Sequence, residues 1–174
     1  MRFQSFATTL AAGLLITGAA WAQSAKPNDA QIAHIAYTAG LADIANAEQA
    51  MKKSKDKSIR EFAQSMLRDH KAVNDKALAL VKKLKVTPQD NDTSKAIAKA
   101  QADKRAALEK LRGKAFDKAY AENEIAYHQT VNGALETTLI PSSSNAELKG
   151  LLETGLKIFQ GHQQHAEHVA AGLK

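Results

Sequence analysis

The sequence predicts an all-α protein, an antiparallel bundle of four long helices with one shorter helix before the third long one. Three observations carry that expectation. The 174 residues are rich in Ala, Lys, Leu, Glu and Gln, contain only three prolines and 5% aromatic residues, and show few β-branched runs, a balance that favours helix almost everywhere. Loop-like clusters are few, and residues that start helices stand directly after them. Between them, apolar residues recur at helical spacing.

The N-terminal segment, from Met1 to Ala22, is set apart. Met1-Arg2-Phe3 gives a short positive start, and the stretch from Phe6 to Ala20 is apolar or small except for Thr8, Thr9 and Thr17. The run closes on Ala20-Trp21-Ala22. This is the layout of a secretory signal peptide, and the apolar run is short of the roughly 20 residues that a membrane span needs. Cleavage is expected after Ala22, leaving residues 23–174 as one domain. The chain has no cysteine, so disulfides, a lipid-anchored cysteine and thiolate metal sites are all excluded. Any metal would be held by His and carboxylate. Without Arg2 the chain carries 23 basic and 18 acidic residues, net +5, an excess that favours anionic neighbours such as an envelope surface.

In the mature chain, Pro27-Asn28-Asp29 opens a helix expected over residues 29–53. Residues 54–57 form a polar turn, and Ser58-Ile59-Arg60-Glu61 reads as a capping box. That second helix is expected to reach Leu84 and stop at Val86-Thr87-Pro88. A loop through Asp90, Asn91 and Asp92 leads to the short helix, residues 93–111. Gly113 breaks it, and the third long helix covers residues 114–139. Pro141-Ser142-Ser143-Ser144-Asn145 is the last loop, before a helix over residues 146–172. Short connections make successive helices antiparallel, so the four long helices are expected to run up, down, up and down.

At about 100° per residue, each long helix shows an apolar stripe interrupted by a polar group. On the first, Asp43 shares a face with Ile32, Ile35, Ala39, Ala47 and Ala50. On the second, His70 lies inside the stripe of Ile59, Phe62, Met66, Val73 and Leu80, with Asp69 at its edge. The third long helix carries Phe116, Tyr120, Tyr127, Val131 and Leu135 inward, with Glu124 and His128 on the flank. On the last, His162 sits at the centre of the stripe, His165 at its margin and His168 nearly opposite. A buried polar group is costly unless paired. Four helices that each turn one inward are therefore expected to bring them together, which is how bundles hold metals. The candidate ligands are Asp43, His70, His128 and His162, with Asp69, Glu124 and His165 as further candidates.

The stretches Ala39-Gly40-Leu41-Ala42-Asp43 and Phe62-Ala63-Gln64-Ser65-Met66-Leu67-Arg68-Asp69-His70, then Ala115-Phe116-Asp117-Lys118-Ala119-Tyr120, His128 and Gly161-His162-Gln163-Gln164-His165-Ala166, carry a resemblance. Together they resemble the exported bacterial family known as domain of unknown function 4142. The resemblance spans nearly all of the mature chain. It implies a ferritin-like bundle in the periplasm, associated with the outer membrane if the labels often given to members hold. It also places Asp69-His70, His128 and His162 on the family's characteristic polar positions. This chain has Asp43 where the family usually has Glu, and Lys157 in the region where the family usually has Pro.

Di-iron bundles use Glu-x-x-His pairs on two helices, and no Glu-x-x-His occurs here. A His-rich set suits zinc, copper, nickel or another divalent transition metal better than a di-iron centre. Two readings follow from the residues. In one, the protein binds a transition metal in the bundle core and serves metal or stress handling in the envelope. In the other, the same residues form a hydrogen-bond network in a structural module, whose basic surface meets an anionic envelope surface or a partner protein. No catalytic residue is assigned, because no Gly-x-Ser-x-Gly motif or cofactor loop is present. No nucleic-acid-binding motif is present either, and no alternating strands of a membrane barrel occur.

Overall fold

A computed structural model describes residues 26–173, and the expected signal peptide lies outside them. The described chain is all-α: α1 (Asp29–Lys53), α2 (Lys57–Lys83), α3 (Asp92–Glu109), α4 (Gly113–Ala134), α5 (Ile140–Ser142) and α6 (Ala146–Gly172). A wide π turn, Leu135–Leu139, joins α4 to α5. No described helix is long and apolar enough to cross a membrane.

Side-chain caps set most of the starts. Asn28 accepts from the Gln31 amide while the Gln31 side chain accepts from the Asn28 amide. Asn91 and Ser94 do the same for α3, and Asn145 accepts two amides at the start of α6. The second helix corrects the expectation. Its cap is Asp56, which accepts from the Ser58 and Ile59 amides at 2.9 and 3.1 Å. The Ser58 hydroxyl donates to the same carboxylate at 2.6 Å, so it is spent on the cap instead of forming one. An ionised carboxylate is the stronger acceptor for free N–H groups. The C-terminal end of the third long helix also differs. Helical structure passes Leu139 and continues to Ser142. Pro141 would clash with the carbonyl one turn back in a regular helix, and the ladder gives way there as the π turn.

The long helices do not alternate up, down, up and down. Asp43 meets His70 and Glu124 sits beside Asn46, so both α2 and α4 run opposite to α1. Arg105 bonds Asn46 and Gln49 reaches Glu109, so α3 runs beside α1 in the same direction. Successive helices are antiparallel as expected, but the return stroke is made by α3. The four long helices therefore read up, down, down and up, the one-crossover connectivity of ferritin-like bundles.

The apolar core is split in two. At the upper end, where α1 finishes, Ala47, Ala50, Ile59, Phe62, Met66, Phe116, Tyr120 and Ala166 pack together. At the lower end Ile32, Ile35, Leu135, Leu139, Leu148, Leu152 and Phe159 form a second cluster. Between them lies a layer of buried polar side chains.

The capping assignment has a direct test. Asp56→Ala should lower the unfolding free energy by about 1 kcal/mol, while Ser58→Ala should cost a small fraction of that. Urea denaturation of both variants measures the difference. Equal losses would restore Ser58 as an independent cap.

Candidate metal centre

The polar layer takes one element from each long helix. Asp43 lies past the middle of the rising α1 (Asp29–Lys53), and His70 lies at the middle of the descending α2 (Lys57–Lys83). His128 stands in the second half of the descending α4 (Gly113–Ala134), and His162 in the second half of the rising α6 (Ala146–Gly172). The reversed directions of α4 and α6 thus bring all four to one height, within about a turn and a half of helix.

Three imidazoles meet there. The ring centres of His70, His128 and His162 are 5.2 to 5.8 Å apart, and all three are buried. One ligand atom from each lies within 4.8 Å of the others, and a second such trio, Asp43, Glu124 and His128, shares His128 with the first. Asp43 Oδ2 is 3.2 Å from His70 Nε2 and 3.7 Å from His128 Nε2. Ligands on a tetrahedral ion with bonds of about 2.0–2.1 Å stand about 3.3 Å apart, so these spacings bracket what such an ion requires.

Partners already fix which nitrogens can serve. His128 Nδ1 lies 2.9 Å from the Glu124 carbonyl, which makes it the N–H donor and leaves Nε2 as a lone pair. His162 Nε2 lies 3.0 Å from Asp69 Oδ2, leaving Nδ1 turned into the protein. Both His70 nitrogens, His128 Nε2, His162 Nδ1, Asp43 Oδ1 and Glu124 Oε2 are buried without a hydrogen-bond partner among the described residues. Buried polar atoms are normally satisfied; the Asp43 and Glu124 carboxyls face each other, but the four imidazole nitrogens in the same layer have no such partner and call for one. His70 and Asp43 are close, but they are not aligned as a hydrogen bond.

The structure divides the sequence-derived candidates. It brings together His70, His128 and His162, sets Asp43 against His70 and His128, and adds Glu124 beside Asp43 and His128, fully buried instead of flanking. Asp69 stands one step out: its carboxylate is held by Arg68 and accepts from His162, the position of an outer-shell carboxylate that orients a ligand histidine. His165 lies edge-on to Phe62 at 5.1 Å, and His168 is exposed.

Behind Glu124 is a network that the sequence reading missed. Asn46 donates to Glu124 Oε1 and Gln101 Oε1, and Arg105 donates to Asn46 Oδ1. Asn46 follows Asp43 by one turn on the same face of α1, a spacing that could have marked it. Gln101 and Arg105 come from α3, so the crossover helix braces the site.

Electrostatics follow from burial. The Asp43 carboxyl is pushed well up, first by loss of water and then by the facing Glu124, which burial also raises. His70 is pushed well down by burial and by the neighbouring imidazoles, and His128 is pushed down to about 4. Burial lowers His162 too, with Asp69 opposing. Burial thus opposes the charged form of both Asp43 and His70, and their contact does not have the character of a salt bridge. A divalent cation would reverse the carboxyl shift, displacing the proton and turning the lone pairs into ligands.

The family model described as a domain of unknown function, DUF4142, matches residues 16–169. The chain belongs to that family. No curated protein and no solved structure matches this DUF4142 chain, so its chemistry is read from its own residues.

The depressed His128 gives a pH signature for the metal-free protein. Between about pH 4 and about 6.5 the unfolded chain binds a proton at this residue and the folded chain does not, so this contribution to stability rises with pH across that window and is flat above it. Asp43 acts in the opposite sense: its folded carboxyl keeps its proton, and the stability this gives is lost as pH rises above the ordinary value of 3.8. Subtracting the urea-unfolding profile of His128→Asn from that of the wild type isolates the histidine. The difference should climb from pH 4 to 6.5, and a flat difference would contradict a buried neutral His128.

Proposed function

We propose that this protein binds one divalent transition metal ion in the core of its bundle, through His70, His128, His162 and Asp43, and that it works in metal or stress handling in the bacterial envelope. The observation that carries the reading is the layer of unsatisfied ligand atoms, one histidine from each of α2, α4 and α6 facing a carboxylate from α1. His70 Nε2, His128 Nε2, His162 Nδ1 and an Asp43 oxygen are the donors. Glu124 is the further carboxylate, held in reserve by Asn46. Asp69 keeps His162 in the tautomer that presents Nδ1, as outer-shell carboxylates do.

Three imidazoles and one carboxylate favour zinc, copper or nickel. The signal-like N-terminus supports export, and the net positive charge supports contact with an anionic envelope surface. The reading is of a binding protein.

Elemental analysis and native mass spectrometry of the protein, purified after export and without a histidine tag, should find close to one metal ion per chain. The ion should be lost in the His70→Ala, His162→Ala double variant. Absence of metal from the wild type, even after titration with zinc and copper, would overturn the reading and leave the layer as a structural hydrogen-bond network. Asp69→Asn should retain the site but weaken metal affinity about 10- to 100-fold, measured by competition with a chromophoric chelator.

A further inference from the structure

Below the polar layer the bundle is hollow. A cavity of about 70 Å³ lies between α1, α2, α4 and α6, and its walls are apolar except where Asp43, His70 and Asn74 reach it. Small residues, among them Ala36, Ala39 and Ala77, line the hollow where larger aliphatic side chains would narrow it. A second space of about 60 Å³ shares Ala33, Val81 and Leu148 with the first and extends it towards Val86 and Asn145 at the lower end. Adjacent through these shared residues, the two spaces line up as a path from the lower end of the bundle towards the side of the polar layer.

Two further observations separate this hollow from a packing fault. Asp43 and His70, each 2% exposed, form part of its wall and carry oxygen and nitrogen atoms without a partner among the described residues. The π turn of Leu135–Leu139 also borders it, with Leu135 and Leu139 in the wall, and such turns are frequent at functional sites. A concave apolar space with a few convergent polar groups is the usual form of a small-molecule site.

We infer that the cavity is a binding site for a small uncharged apolar molecule, which it brings against the Asp43–His70 side of the polar layer. A charged molecule is disfavoured, because most of the wall is apolar and would leave the charge desolvated away from Asp29, Asp43 and His70. Water is disfavoured along most of the path, where it would find no partners. The size limits the rest: the space is less than half of the roughly 150 Å³ that accommodates benzene in an engineered apolar cavity. The enclosed part therefore takes a diatomic gas or the last few carbons of an alkyl group. These share one chemistry, neutral and apolar, and differ in whether the remainder of the molecule extends down the path. The inference rests on the metal reading only for what the molecule meets at the inner end.

The test uses the protein stripped of metal, so that it can fail independently of the metal reading. Xenon is titrated while the methyl signals of Ile35, Val73 and Leu152 are followed by NMR. Saturable shifts confined to methyls in the wall are expected, and they should be lost in Ala36→Leu and in Ala77→Leu, two fillings of the same space from different helices. Shifts that do not saturate, or that persist in both folded variants, would overturn the inference. A series of straight-chain alcohols then separates the two sources. Affinity rising about fourfold per added CH₂ identifies an alkyl group, and binding of xenon with no alcohol bound identifies a gas-sized occupant.

Discussion

The constraint on which this bundle depends is the cost of holding Asp43, His70, Glu124, His128 and His162 in one dry layer. Each would cost several kcal/mol if charged and unpaired, against a total stability of about 5–15 kcal/mol for a domain. In the metal-free fold burial opposes the charged forms: the histidines are driven down and the carboxyls up. The layer also divides the hydrophobic core into an upper and a lower cluster, both strung on the same continuous helices. Whatever occupies the layer thus couples the two halves of the molecule.

The crossover makes that layer possible. Had the long helices simply alternated, α3 would not lie along α1, and Glu124 would lose the Asn46–Gln101–Arg105 brace. Because α3 makes the return stroke, α4 and α6 enter the layer from directions that set His128 and His162 level with Asp43 and His70. The first contact between α1 and α2 is equally specific. Gly40 lies so close to Asn74 that a Cβ there would fall 2.3 Å from the Asn74 oxygen, and the Asn74 amide reaches the Tyr37 carbonyl at 3.4 Å. That approach helps to bring Asp43 and His70 face to face one turn above.

Helix extents and inward faces were legible because they depend on local chemistry. The stripe on α2 named Ile59, Phe62, Met66 and His70, and all four are buried. The four principal candidates lie in one layer because their helical phase was readable and the layer is broad along the axis. Less legible was whatever depends on neighbours. Asp56 takes the cap from Ser58 by competition between two adjacent acceptors, which a motif match does not weigh. Glu124 turns inward because α3 covers it, and the direction of α4 depends on how a helix without a strong apolar stripe crosses the bundle. Gln101 reads as ordinary helical surface until α1 and α3 are set side by side, whereas Asn46 shares the face of Asp43. Asp69 adjoins His70 in sequence yet serves His162, a pairing that only the packing of α2 against α6 creates.

The layer is also unsymmetrical, and its asymmetry has chemical consequences. Above it, on the α1–α3–α4 side, Arg105, Asn46 and Gln101 carry polar contact from the partly exposed surface to Glu124. Below it, between α1, α2 and α6, the wall is almost wholly aliphatic. A proton that a cation would displace from the Asp43–Glu124 pair has polar groups to follow only on the upper side. A neutral apolar molecule has room only on the lower side. A bundle that merely needed to satisfy its buried histidines would gain from closing the lower space with larger side chains, at no cost to any hydrogen bond in the layer. Ala36, Ala39 and Ala77 instead keep the aliphatic side open, next to two candidate ligands, Asp43 and His70, that carry polar atoms without a hydrogen-bond partner among the described residues.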